Sequence, residues 1–358
     1  MQWVHWRYLL KLHLKSLLGV VFTVALIIFI LTFIETLRRM RWWDVIPLGF
    51  LTSTALYRLP NVIALLFPYM YLIATGLTLE SLASSRQMTV LQASGYSIWQ
   101  ILSPFLWFAG FLSAFWFWGL QPLSVYLYGE IQFREQTYFS SDSTVSRNNL
   151  WLHQQPTSSS GVLLQVGHMG DTDCSDISVY RFSQNGGLEE VLFAKTLHFD
   201  ANRWTLSQGT LFDPDSLEYR PFSNRQLENS LDISKILPSL QSPKDLGIYD
   251  IFSTMKVRKE GHLSEREHAM TLHALGAKAV LIFFMVLLAG CLQIRHSRLG
   301  KGLSVAQTLL CGLLLHFSTD IFSSFGLKRV LSPFWAGWTP ALLTGAIALI
   351  GLIRKGER

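Results

Sequence analysis

Apolar residues gather in two groups of three long runs, separated by a polar stretch with a different rhythm. Charge-free runs cover Ser16–Ile34, Leu59–Leu79 and Gln87–Gly129 before that stretch, and Ala279–Ile294, Gly302–Thr319 and Val330–Ile353 after it. A spanning helix needs about 20 apolar residues, so the pattern predicts six membrane helices in a 3 + 3 arrangement. Two runs depart from that length. Ala279–Ile294 is short, and its helix is expected to extend upstream past Lys278, whose long side chain can snorkel. Gln87–Gly129 spans 43 residues, too many for one crossing, so its first part reads as a polar loop.

The stretch between the groups, Glu130–Lys278, has a strand rhythm. Val162–Val166, Ile177–Phe182, Val191–Phe199 and Trp204–Leu206 are short runs rich in β-branched and aromatic residues. Asn185-Gly186-Gly187, Asp200-Ala201-Asn202 and Asp213-Pro214-Asp215 punctuate them as turns. Strands so closely spaced predict an all-β sandwich or open roll. Alternation along Lys195-Thr196-Leu197-His198-Phe199 buries one face. Of an interior filled by its own side chains and one that also holds a lipid tail, the pattern alone favours the filled core. Helical periodicity returns at Ile248–Lys259, stopped by Gly261, and Ser264-x-x-Glu267 is a capping-box pattern opening the fourth spanning helix. That linker helix reads equally as a plain connector or as a transmitter of movement. The expected fold is an integral membrane α-helical bundle with an inserted all-β domain: a membrane half over 1–129, a β domain over 130–246, and a linker helix plus second membrane half over 247–358.

Charge gives the fold a direction. With the N-terminus inside, cytoplasmic segments carry 10 Lys and Arg against 6 in the opposite loops, which favours both termini inside and the β domain outside the cytoplasm. The first run is not a cleaved signal sequence: it exceeds a typical h-region and is followed by Glu35-Thr36-Leu37-Arg38-Arg39. Trp3, Trp6 and Tyr8 beside Arg7, Lys11 and Lys15 form an interfacial anchor before it. Half of all residues are hydrophobic and 15% are charged, a membrane composition. The net charge of +6 divides into −5 for Glu130–Lys278 and +11 for the remainder. The basic excess therefore lies at membrane edges, where anionic head groups are the natural partners, and is not a nucleic-acid footprint. Cys291 and Cys311 fall in spans and Cys174 stands alone, so no disulfide framework is expected. No CxxC, HExxH or GxxxxGK[ST] motif occurs. The chain has no recognisable means of hydrolysing ATP and no cofactor of its own is expected; ATP-driven work would need another subunit.

The loop Glu80–Ser97 contains Gln87–Ala93, a short helix-like run ended by Gly95, in which Met88, Leu91 and Gln92 share a face at i, i+3, i+4. Such a helix suits docking into a groove on a cytoplasmic partner; an ordinary connecting loop is the plainer alternative. Residues 86–101, from Arg86 through LQASG to Ile101, resemble the coupling-helix region of the lipopolysaccharide-export permeases, the LptF/LptG (YjgP/YjgQ) family. The LQASG run is more like the LptG branch than the LptF branch, which tends to read HACG there. Supporting matches are Phe33–Arg39, Leu66-Phe67-Pro68, Ile177–Tyr180 with Trp204–Ser207, and Asp320-Ile321-Phe322, in the family's order along nearly the whole chain.

The resemblance implies a non-enzymatic permease subunit in the bacterial inner membrane. It would pair with an LptF-type paralogue, bind a dimer of LptB-type ATPases that use ATP and Mg, and take lipopolysaccharide from the outer leaflet. The cargo would pass along a periplasmic β-jellyroll domain to an LptC-type bridge protein. Family basic positions at the outer leaflet carry over to Arg38 and Arg39, whose guanidinium forks suit phosphate. Asn61 replaces a family basic residue and Arg58 is the expected substitute; Arg134 matches a basic position after the third span. The coupling-helix assignment falls on Gln87, Met88, Leu91, Gln92 and Gly95, with Gln87 where LptG-type chains often carry an acid. Without the resemblance, outer-edge arginines are generic interface anchors.

His316 and Asp320 are an ionisable pair inside a span, at i, i+4; a hydrogen-bonded structural pair is preferred over a proton-coupled role. His262, Glu265, His268 and His273 read as an amphipathic, solvated helix in preference to a metal site. Three functions remain in view: a lipopolysaccharide-export permease, a mechanotransmitting ABC subunit without a lipid path, and a lipid-modifying enzyme. The last lacks an acid, base, nucleophile or metal constellation.

Overall fold

The computed structural model describes residues 2–39, 48–139, 150–154, 161–169, 173–182, 187–200, 203–214, 216, 218–227, 246–260, 266–293 and 301–356. The chain forms two compact units: Met1–Ile131, Pro243–Ile248 and Arg266–Arg358 make one, and Gln132–Ser242 with Tyr249–Glu265 the other.

In the first unit, α1 (Gln2–Arg39), α2 (Leu48–Ser84), α4 (Ile98–Phe115), α7 (Arg266–Gln293), α8 (Lys301–Leu327) and α9 (Pro333–Gly356) supply six helices long and apolar enough to cross a membrane. α4 runs on through a π-helical turn, Trp116–Leu120, into α5 (Gln121–Phe139), and the short α3 (Gln87–Ala93) precedes it. The expected upstream extension of the fourth span is present, since α7 begins twelve residues before Lys278. Its proposed cap, Ser264, lies outside the described residues.

α2 and α7 are the inner helices: 67% and 61% of their apolar windows are buried, against 22% for α1 and 17% for α8. Their packing has a specific solution to a backbone problem. Pro68 sits inside α2, and proline offers no N–H to the carbonyl four residues earlier. That carbonyl is Ala64 O, and it accepts a 2.9 Å bond from Trp116 Nε1, on a ring that is fully buried. The π-helical turn is the element that brings Trp116 there. At the other end of α2, Gln293 Nε2 donates to Thr308 Oγ1 at 3.1 Å and Ser304 Oγ donates to Gln293 Oε1, which closes the α7–α8 connection with buried polar groups. Gly76 fits beside them because a Cβ there would lie 2.9 Å from Thr308 Cγ2. Small residues that permit such close approach are the usual basis of helix association in membranes.

α1 packs on α2 antiparallel. His13 is fully buried, with Nδ1 3.2 Å from Thr78 Oγ1 and its ring edge-on to Tyr71 and Phe105 at 5.1 Å each. Thr78 donates its hydroxyl to Ala74 O, so it accepts from Nδ1.

The second unit carries one antiparallel sheet in sequential order: β1 (Leu150–Gln154), β2 (Gly161–Met169), β3 (Asp173–Phe182), β4 (Leu188–Asp200), β5 (Arg203–Asp213) and β6 (Glu218–Leu227). The four sequence-predicted strands lie within β2 to β5. Asn185, Gly186, Ala201, Asn202 and Asp215 of the expected turns lie outside the described residues. α6 (Ile248–Glu260) follows as predicted.

The sheet is rolled. Arg225 pairs with Leu206 and Leu206 with Leu197, seven residues along β4 from Glu190. In a flat sheet those seven residues span about 23 Å. Yet Arg225 Nη2 lies 3.1 Å from Glu190 Oε2, and Arg181 Nη1 lies 2.7 Å from Glu190 Oε1. The bend falls where Asp176 (φ 54°) and Gln208 (φ 47°) flank Lys195 from the two neighbouring strands. Gly209 completes it, because a Cβ would sit 2.1 Å from the Phe193 carbonyl oxygen. Ile177, Val179, Leu192 and Leu206 are buried by this curvature.

Candidate functional site

α3 is only seven residues long, too short to persist by propensity alone, and three devices hold it. Arg86 enters it in a left-handed conformation (φ 58°). Met88 is buried. Gly95, at φ 88°, closes it: Gly95 N–H donates to Gln92 O at 3.0 Å and Tyr96 N–H to Leu91 O at 3.1 Å. This six-to-one, five-to-two pair is a Schellman closure, which calls for glycine at its left-handed position. Ser97 then restarts the chain through a capping box with Gln100, its N–H donating to Gln100 Oε1 at 2.9 Å and its Oγ accepting from Gln100 N at 3.2 Å.

The start of α1 braces the same helix. Tyr8 donates its hydroxyl to Gln87 Oε1 at 3.1 Å, and His5 meets Tyr96 edge-on with ring centres 5.7 Å apart. Between them lies a half-open cavity of about 250 Å³, lined by Leu9, Leu82, Val90 and Leu91 among others. The residues expected on the docking face differ in their surroundings. Met88 points into the bundle and anchors α3, because α2 covers that side. Leu91 lines the cavity, Gln92 is exposed, and the Gln87 carboxamide oxygen is committed to Tyr8. The large apolar side chain exposed on α3 is Val90, 63% exposed, which helical spacing from Met88 does not reveal.

The basic residues lie at the other end of α1. Arg38 is exposed at its C-terminus; Arg39 ends the helix, and its side chain lies outside the described residues. The His13–Thr78 pairing and the Leu9–Leu82 cavity set one antiparallel register, which puts residue 53 of α2 level with Arg38. Arg58 is half-buried five residues, or about 7.5 Å, further along α2. Arg134, also half-buried, lies on α5 in the second unit.

His316 and Asp320 face each other on α8 with Nε2 to Oδ2 at 3.7 Å, too long for a hydrogen bond. Tyr69 of α2 shares the cluster: its ring lies 5.1 Å from His316 and its hydroxyl donates to Thr319 Oγ1 at 3.3 Å. Asp320 itself is exposed. The solvated-helix reading of the α7 histidines does not hold. His268 is 1% exposed, and His273 packs edge-on against Phe334 at 5.6 Å; His262 and Glu265 lie outside the described residues.

The sequence matches the family model described as "Lipopolysaccharide export system permease LptF/LptG" over residues 7–354. Among curated proteins it is similar to the lipopolysaccharide export system permease protein LptF of Escherichia coli (strain K12), with 24% identity over 354 residues, 96% of this chain and 93% of that protein. LptF of Shigella flexneri is similar to the same extent. The family model covers both paralogues, so it assigns the family without dividing LptF from LptG. The six-helix bundle with its inserted antiparallel sheet agrees with the match: the chain belongs to the LptF/LptG family of lipopolysaccharide export system permeases.

Proposed function

We propose that this chain is the LptG-type half of a permease heterodimer that extracts lipopolysaccharide from the bacterial inner membrane. An ATPase dimer of LptB type drives it from the cytoplasm, and an LptC-type bridge receives the cargo from the periplasmic β domain. One observation carries the reading. Tyr8, which braces α3, and Arg38 stand thirty residues apart on the single helix α1, about 45 Å along its axis. That is the thickness of a bilayer including its head-group regions. The same helix thus connects a partner-docking element at one face with a phosphate-matching guanidinium at the other. Its apolar flank, with Leu18, Phe22 and Leu31 exposed, is available to a paralogous subunit or a lipid, as is that of α8. ATP and Mg belong to the partner in this scheme, since the chain has no phosphate loop.

The test is lipopolysaccharide crosslinking in nanodiscs holding the full chain with its co-expressed partners. Arg38→Gln with Arg39→Gln is expected to lower the crosslinked fraction about thirtyfold, from roughly 1 kcal/mol per charge at a membrane surface. Unchanged crosslinking overturns the assignment of these two residues. Leu91→Asp places a charge in the α3 cavity and is expected to abolish co-purification of the ATPase; intact co-purification and turnover remove α3 from the docking surface.

A further inference from the structure

α6 has an unusual outward face. Ile248, Ile251 and Thr254 are buried, while Tyr249, Phe252, Ser253 and Lys256, at i, i+3, i+4 and i+7, are exposed together. Two neighbouring aromatic rings lead that face: Tyr249 is 64% exposed and Phe252 56%. The outward side of a helix in water is ordinarily polar. Here it joins aromatic rings to a cation, and the sequence continues with Arg258 and Lys259.

The chain on either side of α6 says what that face meets. Pro243–Ile248 and the residues from Arg266 onward belong to the membrane unit, whereas Tyr249–Glu265 belong to the other. Tyr249 is therefore bonded directly to a residue of the membrane unit. At the far end five residues separate Glu260 from Arg266, no more than about 20 Å of chain. α7 has 28 residues, so it is about 42 Å long, close to the thickness of a bilayer with its head groups. Its first turn thus stands at head-group level. Arg266 fastens that turn to the end of the bundle by donating to Gly326 O and Leu331 O. α6 is itself only about 20 Å long and is tied to the membrane unit at both ends, so it stays beside the bilayer surface.

We infer that α6 is an interfacial helix whose Tyr249–Phe252 face enters the head-group region of the adjoining leaflet, with an anionic phospholipid surface as its partner. Tyrosine is enriched at this boundary, and phenylalanine on a basic interfacial helix buries its ring there. Lys256, on the same face, brings its ammonium to the lipid phosphates while its stem lies along apolar surface. This contact is independent of the cargo, since it uses none of the residues assigned to lipopolysaccharide or to the ATPase.

Photocrosslinking tests it, with the full chain and its co-expressed partners in nanodiscs. A benzophenone amino acid replaces Phe252, Tyr249 or, as a control, Tyr219, which is just as exposed on β6. The nanodiscs hold phosphatidylcholine with or without phosphatidylglycerol. Mass spectrometry is expected to find lipid adducts at the Phe252 and Tyr249 positions and none at Tyr219. Phosphatidylglycerol is expected to raise the Phe252 adduct about fivefold, and Lys256→Gln to remove most of that rise. Phe252 and Lys256 are exposed, so neither replacement empties a core site. Equal lipid adducts at all three positions would show only that exposed rings find lipid, and the inference is overturned. Adducts with protein in place of lipid at Phe252 and Tyr249 overturn it in favour of a protein partner on this face. A lipid adduct indifferent to both phosphatidylglycerol and Lys256→Gln overturns the anionic assignment.

Discussion

The inner and outer helices of the membrane unit are built on different terms. α2 and α7 satisfy their irregularities internally: the carbonyl freed by Pro68 finds Trp116, and Gln293 ties α7 to α8 through Ser304 and Thr308. α1 and α8 instead leave Leu18, Phe22, Leu313, Leu314 and Phe317 exposed. Lipid is as apolar as leucine, so this exposure costs little in a bilayer, and association there relies on packing and on a few polar contacts. The difference separates a fixed scaffold from a surface left for another subunit or a lipid.

The comparison breaks most readily at Trp116. Trp116→Ala empties a fully buried indole site and leaves the Ala64 carbonyl unpaired. A loss of about 3 to 5 kcal/mol is expected from the cavity and the orphaned acceptor, read as the unfolding midpoint of the detergent-purified chain. Leu314→Ala, on exposed α8, is expected to stay within about 0.5 kcal/mol. Equal losses at the two positions would remove the distinction between scaffold and surface. Gln293→Leu should fall between them. It deletes the side chain that both Ser304 and Thr308 bond, and interhelical bonds of this kind contribute about 0.6 to 1.7 kcal/mol in membranes. A neutral result would show that Ser304 and Thr308 satisfy each other without it.

How much of this was written in the sequence depends on the range of the interaction involved. The six spans, strands β2 to β5 and the Gly95 stop follow from periodicity and from glycine's freedom at positive φ, which are local properties. The Ala64–Trp116 bond joins residues 52 apart, and nothing near Pro68 names its rescuer. The roll of the sheet is equally hidden, since Asp176 and Gln208 adopt left-handed backbone without being glycine, and only the pairing around Lys195 shows why. Helical spacing groups Met88 with Leu91 and Gln92, and the packing of α2 against α3 shows which of the three is buried. His268 misled in the same way: charged neighbours suggested water, while the bundle buries it. The basic residues were legible as types, and their places along α1 and α2 needed the His13–Thr78 register.

The smallest expected effect sharpens the comparison from the outer side. α1 has two polar ties to the rest of its unit among the bonds described above, His13 to Thr78 and Tyr8 to Gln87. Tyr8 is 49% exposed, so removing its hydroxyl should cost no more than about 0.5 kcal/mol of stability, the low end for a single bond. If α1 is merely an anchor, Tyr8→Phe changes nothing further. If it carries movement between α3 and the far end of the helix, ATP turnover persists while lipid extraction per ATP declines, because the brace on Gln87 is loosened without disturbing the Leu91 cavity. Measuring both rates in the same nanodiscs separates the two outcomes, and an unchanged ratio would reduce α1 to an anchor.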